Sequence, residues 1–170
     1  MKTRIKKIKL LALDVDGVLT DGKIIFDSKG NETKHFNVKD GFGIVMLKGA
    51  GFKTAIVTAR ASKVVRLRAK DLNIDKTYED AYPKIEAYEK LLRDFKIKDD
   101  EVCFIGDDLP DVQVLRRVGF AVAVKNAIPE AKKAAHYITK ALGGQGAVRE
   151  VVELILKTQG KWKETLACYQ

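Results

Sequence analysis

Two carboxylates at the end of an apolar segment are the residues of this chain best suited to chemistry. Asp14 and Asp16 follow the run Leu10–Leu13, and Gly17 comes directly after them. Carboxylates at the end of a core strand are costly to bury unless a cation or a proton compensates them. The spacing therefore indicates a metal ion close to these side chains.

A second acidic cluster follows another apolar run much later in the chain. Residues 102–105 are apolar, and Asp107, Asp108 and Asp111 come after them. In an open parallel sheet, ligands bind at the carboxyl ends of the strands, so two such strands can place their acids around one site. Hard oxygen ligands of this kind favour Mg²⁺, which also bridges to phosphate oxygens.

The elements that must position these acids alternate along the chain. Apolar runs predict strands at residues 8–15, 54–57, 102–105, 120–124 and 137–138. Apolar residues at helical spacing predict buried helix faces, formed by Phe42, Val45, Met46 and Gly49, then by Ile85, Tyr88, Leu92 and Phe95, and then by Val148, Val151, Val152 and Ile155. Such alternation predicts an α/β fold of three layers, with a central parallel sheet between helices.

One segment departs from this alternation. Residues 23–36 predict a β-hairpin with its turn at Ser28–Asn31, directly after the first acidic cluster. We interpret this hairpin as a flap at the site or as an oligomer contact, because its exposed edges need a cover and a second subunit could supply it. Residues 143–170 would form a loop, a helix and a tail that is long enough to reach a neighbouring site.

The length and composition of the chain limit which classes of protein it can belong to. A chain of 170 residues with 46% hydrophobic residues can bury one core, which predicts a single domain over residues 1–170. Its two cysteines, Cys103 and Cys168, give no disulfide framework and fit a reducing compartment. No apolar run approaches a membrane span, so we expect a cytoplasmic protein without a membrane partner.

The net charge of +9 raises the question of nucleic-acid binding. Basic residues are concentrated in an N-terminal arm at residues 2–9, while the others are dispersed among acids without interleaved aromatic residues. We therefore expect a solvated basic surface and no nucleic-acid partner.

Four landmarks in order carry a resemblance to a known superfamily. They are Asp14 with Asp16, then Thr58 after an apolar strand, then Lys84 at the start of a helix, and then Asp107 with Asp108 and Asp111. This pattern resembles the haloacid dehalogenase superfamily of phosphotransferases, which implies its Rossmann-like α/β/α fold, and the short gaps between landmarks predict that no cap domain is present.

The resemblance implies a role for each landmark. Asp14 would attack phosphorus, which splits one hard step into two. Asp16 would protonate the leaving oxygen and later deprotonate water. Thr58 would hydrogen-bond a phosphoryl oxygen, and Lys84 would balance the negative charge. Mg²⁺ would be held by Asp14, the backbone carbonyl of Asp16 and Asp107, with Asp108 and Asp111 supporting these ligands.

Three further segments narrow the resemblance to one family. Residues 14–22, residues 36–41 and, in the tail, residues 143–150 followed by 159–162 are similar to the 3-deoxy-D-manno-octulosonate 8-phosphate phosphatases, a tetrameric family of lipopolysaccharide sugar synthesis. By this resemblance the substrate would contact Asp16, Asn37, Val38, Lys39, Asp40, Gly41, Val45, Arg60, Arg68 and Lys84. Arginine suits a sugar acid because its guanidinium pairs with a carboxylate. The chain departs from the family at Gln145, where arginine is usual.

Other interpretations stay open at this point. Each residue alone has a structural explanation, since Asp108 or Asp111 could cap a helix and Arg60, Arg68 or Lys84 could lie on a solvated helix face. Phosphates of nine-carbon sugar acids are alternative substrates, and a non-catalytic oligomerisation module is an alternative function. A bacterial receiver domain is disfavoured, because its lysine follows the other acidic and hydroxyl landmarks whereas Lys84 precedes the second acidic cluster.

Overall fold

A six-stranded parallel sheet forms the centre of the protein. The computed structural model describes residues 1–169, and its strands are β1 (Leu10–Leu13), β2 (Ile25–Phe26), β3 (Glu32–Thr33), β4 (Lys53–Val57), β5 (Lys76–Tyr78), β6 (Val102–Gly106), β7 (Phe120–Ala123) and β8 (Tyr137–Ile138). The sheet has the order β5-β4-β1-β6-β7-β8, and each neighbouring pair is parallel. This confirms the predicted fold class.

Two groups of helices pack on this sheet. The helices are α1 (Lys2–Ile5), α2 (Val38–Gly49), α3 (Lys63–Asp71), α4 (Lys84–Phe95), α5 (Val112–Leu115), α6 (Pro129–Ala134), α7 (Ala147–Thr158) and α8 (Trp162–Ala167). Helix α7 contacts α1, α2 and α8, whereas α5 contacts α4 and α6. Every residue of β1, β6 and β7 is buried, as expected for a parallel sheet covered on both faces.

The predicted helix faces are borne out for α7 and corrected for α2. Val148, Val151, Val152 and Ile155 of α7 are all buried. In α2 the predicted residue Met46 is buried, but the predicted residues Phe42, Val45 and Gly49 are exposed. The other buried residues in this part of the helix are Gly43, Ile44 and Leu47. The reason is that α2 packs closely on α7, where a side chain at Gly43 would come within 3.1 Å of Arg149.

The sequence patterns missed the short polar elements. Strand β5 contains only Lys76, Thr77 and Tyr78, which offer no apolar run to recognise. The tail beyond α7 forms a second helix, α8, which lies against the chain's own α2: Lys161 donates a hydrogen bond to the carbonyl of Ala50 at 2.7 Å. Its predicted reach to a neighbouring site stays a prediction.

The hairpin after the first acidic cluster is present but short. Strands β2 and β3 are antiparallel, with Ile25 opposite Thr33 and Phe26 opposite Glu32.

Both cysteines are free thiols, buried at Cys103 and exposed at Cys168. Within residues 1–169, no helix combines the length and the apolar character needed to cross a bilayer.

Candidate active site

Three adjacent strands bring the predicted residues to one edge of the sheet. Asp14 directly follows β1, Thr58 follows β4, and Asp107 follows β6. Strand β1 lies between β4 and β6, with Leu13 paired to both Ile56 and Ile105. The carboxyl ends of parallel strands meet at the same edge, so these three side chains share one rim.

Lys84 lies between two of the acids. It is the first residue of α4 and only 3% exposed. Its Nζ is 2.8 Å from Oδ1 of Asp14 and 2.6 Å from Oδ1 of Asp111. A buried ammonium is tolerated when carboxylates compensate it, so the three groups hold one another in place. This rules out a solvated lysine on the face of a helix.

The acids at this rim are strongly perturbed. Burial raises the pKa of Asp14 to about 7, and the charge of Asp111 adds to the shift while Lys84 opposes it. Burial together with the charges of Asp14 and Asp111 raises the pKa of Asp107 to about 8. Burial would lower the pKa of Lys84, but the charges of Asp14 and Asp111 raise it above its ordinary value. The rim therefore carries more negative charge than one ammonium balances.

The arrangement of these acids fits a divalent cation. Oxygens of Asp14, Asp107 and Asp111 all lie within 4.8 Å of one another. Oδ1 of Asp107 is buried and has no hydrogen-bond partner within the described residues 1–169. A buried carboxylate oxygen without a partner is costly, and a metal ion would compensate it. Hard oxygen donors of this kind suit Mg²⁺.

Gly17 leaves room for one of these acids. A side chain at Gly17 would place its Cβ 2.0 Å from Oδ2 of Asp107, and the backbone φ of +91° also favours glycine. The glycine after the two acids therefore permits the loop after β1 to approach the loop after β6.

Asp111 and Asp108 both organise the loop after β6. The second oxygen of Asp111 accepts hydrogen bonds from the backbone amides of Asp107 and Asp108, at 2.8 and 3.2 Å. Asp108 accepts a hydrogen bond from the amide of Leu109 at 2.7 Å, which caps a 3₁₀ turn. Asp111 thus connects Lys84 to the backbone that carries Asp107.

Asp16 has a partner that the sequence analysis did not identify. Lys34, on the hairpin, donates a hydrogen bond to Oδ1 of Asp16, and its side chain is 0% exposed. Nζ of Lys34 is also 3.3 Å from Oε1 of Glu32. The only signal for this contact in the sequence was a lysine in a predicted hairpin, where lysines are usually solvated.

The loop after β4 carries two of the predicted residues. Thr58 is buried, and its Oγ1 accepts a hydrogen bond from the amide of Arg60 at 3.4 Å. The guanidinium of Arg60 is exposed and lies 3.3 Å from Oε1 of Glu32 on the hairpin. The structure therefore places Arg60 beside the hairpin that covers Asp16.

Arg68 and Gly41 also lie together. The guanidinium of Arg68 stacks over the ring of Phe36 with its carbon 5.6 Å from the centroid. A side chain at Gly41 would come within 2.1 Å of Nη2 of Arg68, so glycine permits this contact. Nη1 of Arg68 is 2.5 Å from Asp71, while its buried Nε has no partner within residues 1–169.

The remaining predicted substrate residues on α2 have different surroundings. Asn37 caps the helix by accepting a hydrogen bond from the amide of Lys39 at 2.8 Å. Asp40 is buried and accepts hydrogen bonds from the amides of Gly146 and Arg149 at the start of α7. Of the predicted substrate residues on this helix, Val38, Lys39 and Val45 are exposed. Substrate roles for these residues stay predictions.

The glycine-rich loop at residues 142–146 packs against the acidic loop after β1. The amide of Gly144 donates a hydrogen bond to the carbonyl of Val18 at 2.8 Å. A side chain at Gly143 would come within 1.7 Å of the carbonyl oxygen of Gly17. Gln145 is exposed on this loop, near the predicted site.

Comparisons with known sequences identify the relatives of this chain. A family model described as haloacid dehalogenase-like hydrolase matches residues 78–150. The chain is 44% identical over 158 residues to the 3-deoxy-D-manno-octulosonate 8-phosphate phosphatase of Yersinia pestis. This alignment covers 93% of this chain and 84% of the Yersinia pestis protein. The Escherichia coli K12 protein of the same name is 43% identical over 159 residues, covering 94% and 85%.

Solved structures agree with the sequence relatives. The same phosphatase from Moraxella catarrhalis, solved with magnesium, phosphate and 3-deoxy-D-manno-octulosonate (KDO), superposes with a TM-score of 0.97 at 43% identity, covering 99% of this chain and 97% of that one. The cobalt-bound phosphatase from Haemophilus influenzae gives 0.90 at 35% identity, covering 93% and 92%. The chain therefore belongs to the haloacid dehalogenase superfamily and, within it, to the family of the 3-deoxy-D-manno-octulosonate 8-phosphate phosphatases.

Proposed function

We propose that this protein is a Mg²⁺-dependent phosphatase that hydrolyses 3-deoxy-D-manno-octulosonate 8-phosphate to KDO and phosphate. The observation that carries the proposal is the buried contact of Asp14 with Lys84, next to Asp107, at the ends of adjacent strands. The relatives of the same name support the choice of substrate. Phosphates of nine-carbon sugar acids remain the alternative.

The proposed mechanism gives each residue at the rim one task. Asp14 attacks phosphorus in line with the leaving oxygen, and an aspartyl-phosphate forms as the ester bond breaks. Asp16 gives a proton to the leaving oxygen and later takes one from the attacking water. Thr58 donates a hydrogen bond to a phosphoryl oxygen. The ammonium of Lys84 keeps Asp14 oriented and offsets the charge of the phosphoryl group.

The metal ligands would be Asp14, Asp107 and the backbone carbonyl of Asp16. Asp111 belongs to the same cluster of oxygens, but Lys84 and two backbone amides already occupy its carboxylate. When bound, Mg²⁺ neutralises negative charge at the phosphoryl group. Arg60 and Arg68 would pair with the carboxylate of the sugar acid.

The test of this function is phosphate release by the wild-type protein. The substrates are the 8-phosphate of KDO, the 9-phosphates of nine-carbon sugar acids, hexose phosphates and nucleotides, each with Mg²⁺ and after chelation. We expect the highest kcat/KM for the eight-carbon acid and no turnover without metal. A nine-carbon preference would establish the alternative, and the absence of hydrolysis of any sugar-acid phosphate would refute the proposal.

Gly17→Ala is expected to lower activity about 10²-fold, because a misplacement near 1 Å in a catalytic group costs about this much. The added Cβ would collide with the carboxylate of Asp107. Gly30→Ala is the matched control, since Gly30 also has a positive φ, +79°, but has nothing within 4 Å of the added carbon. Steady-state kinetics at saturating Mg²⁺ compares the two. Equal activities in both variants would contradict the proposed placement of Asp107.

We further propose that residues 1–170 form one capless domain that assembles as a homotetramer. Three apolar residues, spaced along one face of α2, support an interface: Val38 is 77% exposed, Phe42 is 42% exposed and Val45 is 41% exposed. Phe26 of the hairpin is exposed as well. Clustered apolar side chains at a surface are typical of interaction sites, and a second copy is the occupant we expect.

Phe42→Glu is expected to shift the assembly towards smaller species, because a charge in the middle of this apolar face cannot be desolvated cheaply. Light scattering at micromolar concentration measures the mass of the variant and of the wild type. Lys70→Glu is the control, since it adds negative charge at an exposed position of α3. A monomeric wild type would refute the tetramer, and an unchanged mass for Phe42→Glu would exclude this face as the interface.

A further inference from the structure

The hairpin delivers a buried cation to the acidic loop after β1. The side chain of Lys34 is fully buried, and its Nζ contacts Oδ1 of Asp16 and Oε1 of Glu32. Removing an ammonium from water is unfavourable, so a lysine is retained in such a position only where carboxylates compensate it. Lys34 is therefore a fixed part of the site rather than a solvated residue of a loose flap.

The contacts continue from Lys34 to the next strand end. The carboxylate of Glu32 accepts hydrogen bonds from the hydroxyl of Ser62 and from Nη2 of Arg60, the latter at 3.3 Å. Ser62 and Arg60 belong to the segment between Thr58 and α3. A continuous series of polar contacts thus joins Asp16, through the hairpin, to the loop after β4.

The chemistry of the Lys34 contact decides which oxygen of Asp16 can carry a proton. An ammonium group has only donors, so Oδ1 of Asp16 must accept. When Asp16 is protonated, its proton therefore resides on Oδ2. Without Lys34 the carboxyl group could rotate, and either oxygen could hold the proton in either orientation.

We propose that Lys34 is a positioning residue for Asp16, and that Glu32 fixes Lys34 to the loop that carries Thr58 and Arg60. The inference rests on the proposed function, in which Asp16 passes a proton to the leaving oxygen. In that step the bond from Asp14 to phosphorus forms and the bond from phosphorus to the sugar oxygen breaks. The proton moves from Oδ2 of Asp16 to that oxygen, and Lys34 keeps Oδ2 in place.

A comparison of two substrates with different leaving groups distinguishes a positioning role of Lys34 from a merely structural one. A sugar alkoxide needs a proton as it leaves, whereas p-nitrophenolate leaves readily without one. Lys34→Met should therefore lower the single-turnover rate with the sugar-acid phosphate about 10²-fold, the lower range for general acid catalysis. The first-turnover release of p-nitrophenolate from p-nitrophenyl phosphate should stay close to the wild-type rate. We expect kcat to fall with the sugar phosphate while KM changes little.

Lys29→Met is the matched control, because Lys29 is an exposed lysine in the turn of the same hairpin. It should leave both rates at the wild-type level. Thermal unfolding shows whether Lys34→Met is folded. If Lys34→Met is not folded, Glu32→Gln takes its place in the test, because it keeps Lys34 but removes the negative charge that holds it. We expect Glu32→Gln to lower the single-turnover rate with the sugar-acid phosphate by a smaller factor and to leave the rate with p-nitrophenyl phosphate unchanged.

Two results would overturn the inference. Equal losses with both substrates in a folded variant would make Lys34 purely structural, and unchanged rates with both would make it irrelevant to Asp16. Failure of the proposed function has a different signature, because the wild-type protein would then not hydrolyse the sugar-acid phosphate. The comparison of leaving groups would still be made on any alkyl phosphate that the wild-type protein hydrolyses.

Discussion

Asp14→Asn is expected to reduce phosphate release to the background rate while the protein remains folded. An amide keeps the shape of the carboxylate but is a poor nucleophile, so the aspartyl-phosphate cannot form. Stability should be kept, since burial already raises the pKa of Asp14 to about 7 and its charge is unfavourable beside Asp111. Lys84 retains its contact with Asp111 at 2.6 Å. Phosphate release tests the expected loss of activity, and thermal unfolding tests the expected stability of the variant.

Asp21→Asn is the matched control for this experiment. Asp21 belongs to the same acidic segment, but it is exposed and pairs with Lys23 at the surface. Its substitution should leave kcat/KM and the melting temperature unchanged. Turnover near the wild-type level in Asp14→Asn would contradict the nucleophilic role of Asp14. Trapping of phosphate on the wild-type protein but not on the variant would support that role directly.

The position of the site could be predicted because few rules are needed for it. Apolar runs identify β1, β4 and β6, and the residues at their carboxyl ends must meet at one edge of a parallel sheet. Asp14 and Asp107 follow from this argument alone, whereas Thr58 was assigned through the family resemblance. Lys84 required the family resemblance, because a lysine at the start of a helix is usually solvated, and only the fold shows that Asp14 and Asp111 flank it.

Contacts between distant segments could not be predicted in the same way. The pairing of Lys34 with Asp16 depends on how the hairpin bends over the loop after β1, which no local spacing reports. The hydrogen bonds that the carboxylate of Asp40 accepts from amides at the start of α7, more than 100 residues away, could not be predicted either. The substrate role of Asp40 stays a prediction. The predicted buried face of α2 was right at Met46 but wrong at the residues that are exposed, Phe42, Val45 and Gly49, because the packing of α2 on α7 decides which residues of the helix are covered.

Lys84→Ala is expected to lower kcat about 10²- to 10³-fold, the usual loss when one preorganised electrostatic contact is removed. The variant loses the ammonium that orients Asp14 and offsets the charge of the phosphoryl group. A stability loss should accompany it, because removing one partner of a buried ion pair typically costs about 3 to 5 kcal/mol. Mg²⁺ should recover part of this loss, since a cation at the same acids relieves their repulsion.

Two further variants separate charge from packing in this experiment. Lys84→Met keeps most of the side-chain volume without the charge, so its kcat should fall as far as that of Lys84→Ala if electrostatics dominate. Lys90→Ala is the control, because Lys90 is exposed on the same helix and should change neither kcat nor the melting temperature. Kinetics at saturating Mg²⁺ and thermal unfolding with and without the metal give the result. A loss of less than about fivefold in folded Lys84→Met would show that the charge of Lys84 contributes little to catalysis.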